Sequence, residues 1–314
     1  NPQDNDQLYF ATTNAKITVT SATVDGKLVF TLTGEATQAE YNDVLKSLRF
    51  INNSDNPSVV NRVIDVTVND GTDTSKAAQA IIKVVAVNDA PTVSFTGAEY
   101  TENGAATALV KNLVIGDVDS GQLSGAKITL SGITGEDLIA SDYYKGGTEG
   151  DTSLGIHYSL GTDAAGNVII TLTGNASIAD YQTLISSITY ANNSNNPSTD
   201  ARGVKIEVTD VDAHGSNNLS GSNTGTVVVT PVNDAPTISF TGAAYTENGA
   251  PTALVKNLVI SDVDSGQLSG AKITLSGIHA EDLITSNYYK GGTEGDTSLG
   301  IHYSLSTDSA GNVV

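Results

Sequence analysis

Apolar residues in this chain recur chiefly at every second position, in short runs that stop at Asn, Asp, Gly or Pro. The run 28–32 (Leu-Val-Phe-Thr-Leu) and the alternating sets Ile156, Tyr158, Leu160 and Val204, Ile206, Val208 are of this kind. A period of two predicts strands with one face buried. Strands are predicted on both sides of Asp25-Gly26, a hairpin-turn dipeptide, and over 63–68 and 80–87. Further on they are predicted over 92–95, 108–115, 127–130, 155–160, 167–172 and 204–208, and around Val227 and Val229. Only two places carry helical spacing. Tyr41, Val44, Leu45 and Leu48 share one face behind Thr37, with Glu40 three residues on, which is a capping-box pattern. Ile178, Tyr181, Leu184, Ile185 and Ile188 do the same behind Ser177 and Asp180. Each helix is followed by an Asn-x-Ser-x-Asn-Pro-Ser break, at 52–58 and 192–198.

The pattern repeats. Val-Asn-Asp-Ala-Pro-Thr occurs at 87–92 and again at 232–237, with Pro91 and Pro236 separated by 145 residues. Residues 236–314 differ from 91–169 at eleven of 79 positions. The later part of the repeat is also present in 1–90, at an offset of 140 that becomes 145 through a longer loop after Asp210. Three segments follow: 1–90 as the C-terminal part of a repeat, 91–235 as a complete repeat, and 236–314 as the N-terminal part of another. About seven short strands and one helix per repeat predict an all-β fold of tandem antiparallel β-sandwich repeats, each with one short helix.

Charge narrows the functional classes. Thirty-five acidic against fifteen basic residues give a net charge of −20, which opposes binding to nucleic acid or to anionic membrane surfaces. No run is long and apolar enough to insert in a membrane. Cysteine, methionine and tryptophan are absent, so disulfides and thiolate metal sites are excluded. The chain is expected to be an excerpt of a longer protein. No serine or histidine has an identifiable base and orienting partner, so no enzyme is expected.

Three further motifs complete the picture: Thr101-Glu102-Asn103-Gly104, then Asp117-Val118-Asp119 after a strand, and Asn-Asp-Ala-Pro closing the unit. With these the chain resembles cadherin repeats. It is more closely similar to the cadherin-like (Ig-like) tandem repeats of large bacterial surface and RTX-type adhesins. The resemblance implies a calcium-stiffened extender at the cell surface, supporting adhesion and biofilm attachment, with neighbouring repeats of the same chain as its partners. A glycan or protein ligand would bind elsewhere in the parent protein. It implies Ca2+ held by Asn88, Asp89, Asp117, Asp119 and Asp210 at the first joint. At the second joint it implies Glu102 with Asn233, Asp234, Asp262 and Asp264. Asp70 and Glu247 stand at matching positions. The chemistry is coherent, because calcium takes six to eight oxygens. Two carboxylates about 5 Å apart otherwise repel by roughly 3 kcal/mol at an effective dielectric near 20. The sequence departs from the cadherin linker in having Ala86 and Pro231 where an aspartate usually opens it, and in lacking the following asparagine and an Asp-Arg-Glu segment. One or two ions per joint are therefore expected instead of three.

Weaker signals point elsewhere. Residues 146–154 and 291–299 nearly match the Gly-Gly-x-Gly-x-Asp calcium nonapeptide but lack tandem copies, and are read as acidic loops. Tyr143-Tyr144 and Tyr288-Tyr289 offer an alternative function, a carbohydrate- or protein-binding platform. His157, His302, His214 and His279 are not expected to bind metal or act in catalysis. A lysine–asparagine isopeptide cross-link is left open by the sequence.

Overall fold

A computed structural model describes residues 5–144, 146–212, 215, 217–279, 281–288, 293–307 and 309. Two compact units divide the chain, Asn1–Val232 and Asn233–Val314. The division falls inside the second copy of Val-Asn-Asp-Ala-Pro-Thr.

The first unit opens with β1 (Asp6–Phe10), β2 (Thr18–Val24), β3 (Lys27–Thr33), helix α1 (Gln38–Lys46), β4 (Leu48–Asn52), β5 (Arg62–Val66) and β6 (Ala78–Ile82). They pair as three antiparallel ribbons, β1 with β4, β2 with β3 and β5 with β6. The β2–β3 turn uses Asp25 and Gly26, both at positive φ (48° and 71°), as a tight two-residue hairpin requires. Helix α1 begins as expected. The Thr37 side chain accepts from the Glu40 N–H while the Glu40 carboxylate accepts from the Thr37 N–H.

The rest of the unit is a sandwich. Its strands are β7 (Thr92–Thr96), β8 (Ala98–Thr101), β9 (Thr107–Ala108), β10 (Lys111–Gly116), β11 (Gln122–Ser131), β12 (Asp137–Ala140), β13 (Glu149–Asp151), β14 (His157–Thr162) and β15 (Val168–Ser177). After helix α2 (Ile178–Ser186) come β16 (Thr189–Asn192), β17 (Arg202–Asp210) and β18 (Ser220–Thr230). One sheet has seven strands in the order β13-β14-β15-β11-β17-β18-β8, antiparallel except for the β18–β8 pair. Facing it are the β12-β16-β9 sheet, the β10–β7 ribbon and α2. Strand β11 is the centre of the core. Ile128 stands opposite both Ile170 and Ile206, and Ala126 opposite both Leu172 and Val208. Ile128, Ile170 and Ile206 are fully buried, each such side chain contributing about 2 kcal/mol or more. Helix α2, capped by the Ser177 side chain, buries Tyr181, Leu184 and Ile185 against this layer.

The two layers are tied by a buried ion pair that the sequence reading did not single out. Arg202 on β17 donates from Nε to Asp137 Oδ2 on β12 at 3.2 Å. Asp137 also accepts from Tyr190 Oη, from Asn192 Nδ2 at 2.7 Å and from the Thr134 N–H at 2.8 Å. Burial alone would raise the Asp137 carboxyl, but these hydrogen bonds outweigh it and hold the group below the usual carboxylate value. Residues 5–82 repeat the arrangement: Arg62 Nε meets Asp6 Oδ2 at 2.9 Å and Asn52 Nδ2 meets Asp6 Oδ1 at 2.8 Å. A signal was present, since the chain has three arginines and two of them, Arg62 and Arg202, stand 140 residues apart behind the same Asn-Pro-Ser break.

The second unit holds β19 (Thr237–Gly242), β20 (Val255–Ser261), β21 (Glu294–Asp296) and β22 (His302–Ser304), paired β19 with β20 and β21 with β22. These copy β7–β10 and β13–β14 in sequence and in pairing.

Two expectations are corrected. The strand expected over 80–87 ends at Ile82, and 83–91 run without a strand partner, with side-chain hydrogen bonds in place of a ladder at Asn88 and Asp89. The acidic loop at 146–154 contains β13, an edge strand of the seven-stranded sheet.

Candidate metal site at the joint

The stretch between β6 and β7 alternates: Ala86 and Asn88 point inward while Val85 and Val87 point to solvent. Alternation thus buries an amide, and a buried amide needs partners. Asn88 Nδ2 donates to Asp210 Oδ2 at 2.8 Å and to the Asn217 carbonyl at 3.1 Å. Asp210 itself is fully buried at the end of β17, and its Oδ1 accepts the Leu219 N–H at 2.8 Å. These bonds fix the amide orientation, leaving Asn88 Oδ1 buried with no donor. The opposite end of the peptide is fixed by Asp89, whose N–H donates to Asp119 Oδ2 at 3.1 Å. Two residues on, Pro91 is buried with its carbonyl pressed against Gly221. A Cβ at Gly221 would lie 1.8 Å from the Pro91 oxygen.

Asp117 and Asp119 follow β10 in a turn. Asp117 Oδ1 accepts the N–H groups of Asp119 and Ser120, both at 3.1 Å, the usual local bonding of an aspartate in a turn. Its other oxygen, Oδ2, is buried without a donor. Burial first, and the adjacent Asp119 carboxylate second, push the Asp117 carboxyl above the usual value. A bulge between Leu123 and Gly125 sets Leu123 opposite Asp210, and Ser124 Oγ donates to the Asp210 carbonyl at 2.6 Å. The bulge thereby brings the start of β11 to this end of the sandwich.

The structure therefore gathers the first-joint residues named from sequence into two linked groups, Asn88 with Asp210 and Asp89 with Asp117 and Asp119. It adds one the sequence reading missed. Asp55 lines the open cleft of about 450 Å3 that Asp89, Thr92, Asp117 and Val118 also line. Asn56 Nδ2 beside it donates to the Val118 carbonyl at 2.9 Å. The Asn-Pro-Ser break was legible as a helix stop, but not as a loop that reaches across to the next repeat. Asp70 is placed differently from its counterpart Asp210. It is exposed in a turn, where N–H bonds from Asp73 and Thr72 lower its carboxyl.

Glu102 lies at the other end of the sandwich. The eleven residues of β18 separate it from Asp210 by roughly 33 Å at strand rise. Its N–H donates to the Thr230 carbonyl at 2.9 Å and its Oε2 accepts the Val232 N–H at 2.8 Å, leaving Oε1 buried without a donor. Asn103, at φ 59°, turns the chain immediately after it. Within the second unit the Asp89–Asp117–Asp119 part of the first-joint geometry recurs. Asp234 N–H donates to Asp264 Oδ2, Asp262 Oδ1 accepts from the Asp264 N–H at 3.0 Å and from the Ser265 N–H at 2.9 Å, and Asp234 Oδ2 is buried without a donor. Asn233 is exposed and its amide turns to the Asp234 carbonyl, since the described residues of that unit include no counterpart of Asp210. Glu247 is exposed.

Among the described residues no group of three or more His, Cys, Asp or Glu side chains converges at metal-binding spacing. What the joint does offer is a set of oxygen donors, amide and carboxylate together. Asn88 Oδ1 and Asp117 Oδ2 are buried there without donors, and two carboxylates are held side by side. That donor chemistry fits a hard divalent cation and fits no soft metal.

The remaining motifs are placed plainly. Tyr143 and Tyr144 are half-buried and pack on the core, Tyr144 stacking on Tyr158 at 4.5 Å. His157 Nδ1 and Asp151 Oδ1 pair on the exposed face of β13–β14 at 2.9 Å, as do His302 and Asp296. His279 is exposed, and its backbone N–H donates to Asp282 Oδ2 at 2.8 Å. His214, Tyr289, Gly291 and Gly292 lie outside the described residues.

Fold and site together define an all-β, antiparallel sandwich protein of repeated sequence, with an acidic, oxygen-lined joint between repeats. No family model and no curated protein matches the chain.

Proposed function

We propose that the chain is a run of calcium-stiffened, cadherin-like extender repeats from a bacterial surface or secreted adhesin, in the service of adhesion and biofilm attachment. The observation that carries this reading is the joint. Asn88 Oδ1 and Asp117 Oδ2 are buried acceptors without donors, and Asp117 is held against a second carboxylate. A cation bound there would neutralise that repulsion. Asn88 and Asp89 from the linker, Asp117 and Asp119 from the following repeat, and Asp210 from the end of β17 would hold it, with Asp55 at the rim. Fixing the linker to the repeat that follows it restricts the hinge, which is what an extender requires. The repeated sequence favours a spacer, because near-identical copies add length where an active site needs only one.

The test is calcium titration of the full chain by calorimetry, paired with small-angle scattering in calcium and in chelator. Heat of binding that disappears in a D117N/D119N variant, together with a scattering profile that changes on chelation, supports the reading. Identical profiles and no binding heat at millimolar calcium would sink it.

A further inference from the structure

The Asn-x-Ser-x-Asn-Pro-Ser break at 52–58 does more than end a helix, because its polar groups form one chain of hydrogen bonds. Asn52 Nδ2 donates to Asp6 Oδ1 at 2.8 Å, and Asn52 Oδ1 accepts the Ser54 N–H at 2.9 Å. Ser54 Oγ accepts the Asn56 N–H at 3.1 Å, and Asn56 Nδ2 donates to the Val118 carbonyl at 2.9 Å. The far end of the loop is tied to the same anchor. Arg62 pairs with Asp6 and donates from Nη1 to the Ser58 and Val60 carbonyls. A loop fastened at both ends to one buried ion pair has little freedom, and it holds out an amide donor to the repeat that follows.

The complete repeat builds the same loop. Asn192 Nδ2 donates to Asp137 Oδ1 at 2.7 Å, the Ser194 N–H to Asn192 Oδ1 at 2.8 Å and the Asn196 N–H to Ser194 Oγ at 3.1 Å. Arg202 Nη1 again holds two carbonyls, those of Ser198 and Asp200. Asn52, Ser54, Asn56 and Arg62 recur at the offset of 140, whereas Asp55, Val59, Val60 and Asn61 give way to Asn195, Thr199, Asp200 and Ala201. The side chains that make the bonds are the ones that stay. Within the loop Asn56 contributes its backbone N–H, and its side chain reaches out to Val118.

Three bonds therefore join 5–82 and the linker to 91–232 without metal: Asn88 to Asp210, the Asp89 N–H to Asp119, and Asn56 to Val118. The first two start from the linker, a segment without a strand partner, about which a repeat could pivot. The third starts from the body of the preceding repeat, and a contact off the linker is what resists pivoting. We propose that the loop 52–58 is a metal-independent latch, by which one repeat grips the Asp-x-Asp turn of the repeat that follows and fixes the angle between them. The latch reads a main-chain carbonyl, so it recognises the shape of that turn and tolerates any side chain at 118. Asp55 lines the same cleft as Asp89 and Asp117, so like charge opposes the latch and salt of about 0.15 M, with a Debye length near 8 Å, supports it. The inference does not depend on a cation at the joint.

Distance measurement in chelator tests this. The chain has no cysteine, so N42C on α1 and K127C on β11, both at exposed positions, carry spin labels without background. Double electron–electron resonance on the full chain, in chelator and about 0.15 M salt, should give a narrow distance distribution. N56A should lose that narrowness while its circular dichroism spectrum stays unchanged, because Asn56 is exposed. N53A, on the same loop and also exposed, should leave the distribution narrow. A distribution that N56A leaves as narrow as before overturns the proposal, and so does one that N53A broadens equally. A parent distribution that is broad in chelator and narrows only in calcium also overturns it, while leaving the calcium reading intact. Narrowness in chelator that N56A alone removes supports the latch even in a chain that binds no calcium.

Discussion

Replacing Asp117 by Asn should change stability in opposite directions with and without calcium. The substitution keeps Oδ1, which accepts the Asp119 and Ser120 N–H groups at 3.1 Å, so the turn survives and only the charge is lost. In chelator that charge is a liability. Two carboxylates about 4 Å apart repel by about 1 kcal/mol in water and about 4 kcal/mol at an effective dielectric of 20. Asp117 is part-exposed, which places the cost near the lower end, about 1 kcal/mol. D117N in chelator should therefore melt about 2 to 4 °C above the wild type, for a unit of this size. In calcium at a hundred times its dissociation constant the wild type gains about 2.7 kcal/mol. A variant that binds a hundredfold more weakly keeps about 0.4 kcal/mol, so the order of melting reverses. The pH dependence has a definite sign as well. The Asp117 carboxyl is raised above its unfolded value. Its cost is then fully present above the folded value and disappears as pH falls toward the unfolded one. Acidification in chelator should close the gap between wild type and D117N. Calorimetric melting of both proteins in chelator and in calcium checks this, and a difference of the same sign in both buffers would refute the electrostatic account.

Two other outcomes follow from the packing. R202M leaves the Asp137 carboxylate buried with one cationic partner gone, and should cost about 3 to 5 kcal/mol in urea unfolding. Asp137 is held below its unfolded value, so the clamp's contribution is complete at neutral pH and lost as pH falls below the ordinary carboxylate range. R202M should flatten that acid limb. G221A pushes a methyl into the Pro91 carbonyl, at 1.8 Å. It should destabilise by about 1 to 3 kcal/mol and raise amide exchange at 86–92, while an unchanged exchange profile would show that the joint does not rest on β18.

Local signals in the sequence carried local structure well. Thr37 with Glu40, Ser177 with Asp180 and Asp25-Gly26 each contain their own instructions, and the helix caps and the hairpin stand where those residues place them. Short strands were harder. β8, β9, β12 and β16 are two to four residues long, too brief for a period of two to show. The limit is clearest at 122–131 and 267–276, where one decapeptide is a strand in one unit and not in the other. In the first unit it is held by pairing with β15 and β17, which no window of ten residues contains. The joint was legible as an acidic set because Asn88, Asp89, Asp117 and Asp119 lie in short motifs. Asp55 and the Asp137–Arg202 clamp were not, because each depends on residues brought from across a sandwich.

The central place of β11 also sets a timetable. Its outer partner β17 begins at Arg202, some eighty residues after Gln122. At a synthesis rate of about 5 to 20 residues per second, β11 leaves the ribosome about 4 to 16 seconds before the strand that completes its pairing. During that interval the first half of a repeat can hold only pairings within itself, such as β7 with β10 and β13 with β14. Pairings this distant in sequence are also slow to form once both strands exist. In a chain whose neighbouring repeats differ at so few positions, the waiting half cannot distinguish its own second half from a neighbour's by side-chain fit. Order of emergence is then what selects the correct partner, and slowing translation within 170–200, which prolongs the wait for β17, should favour exchange over correct pairing.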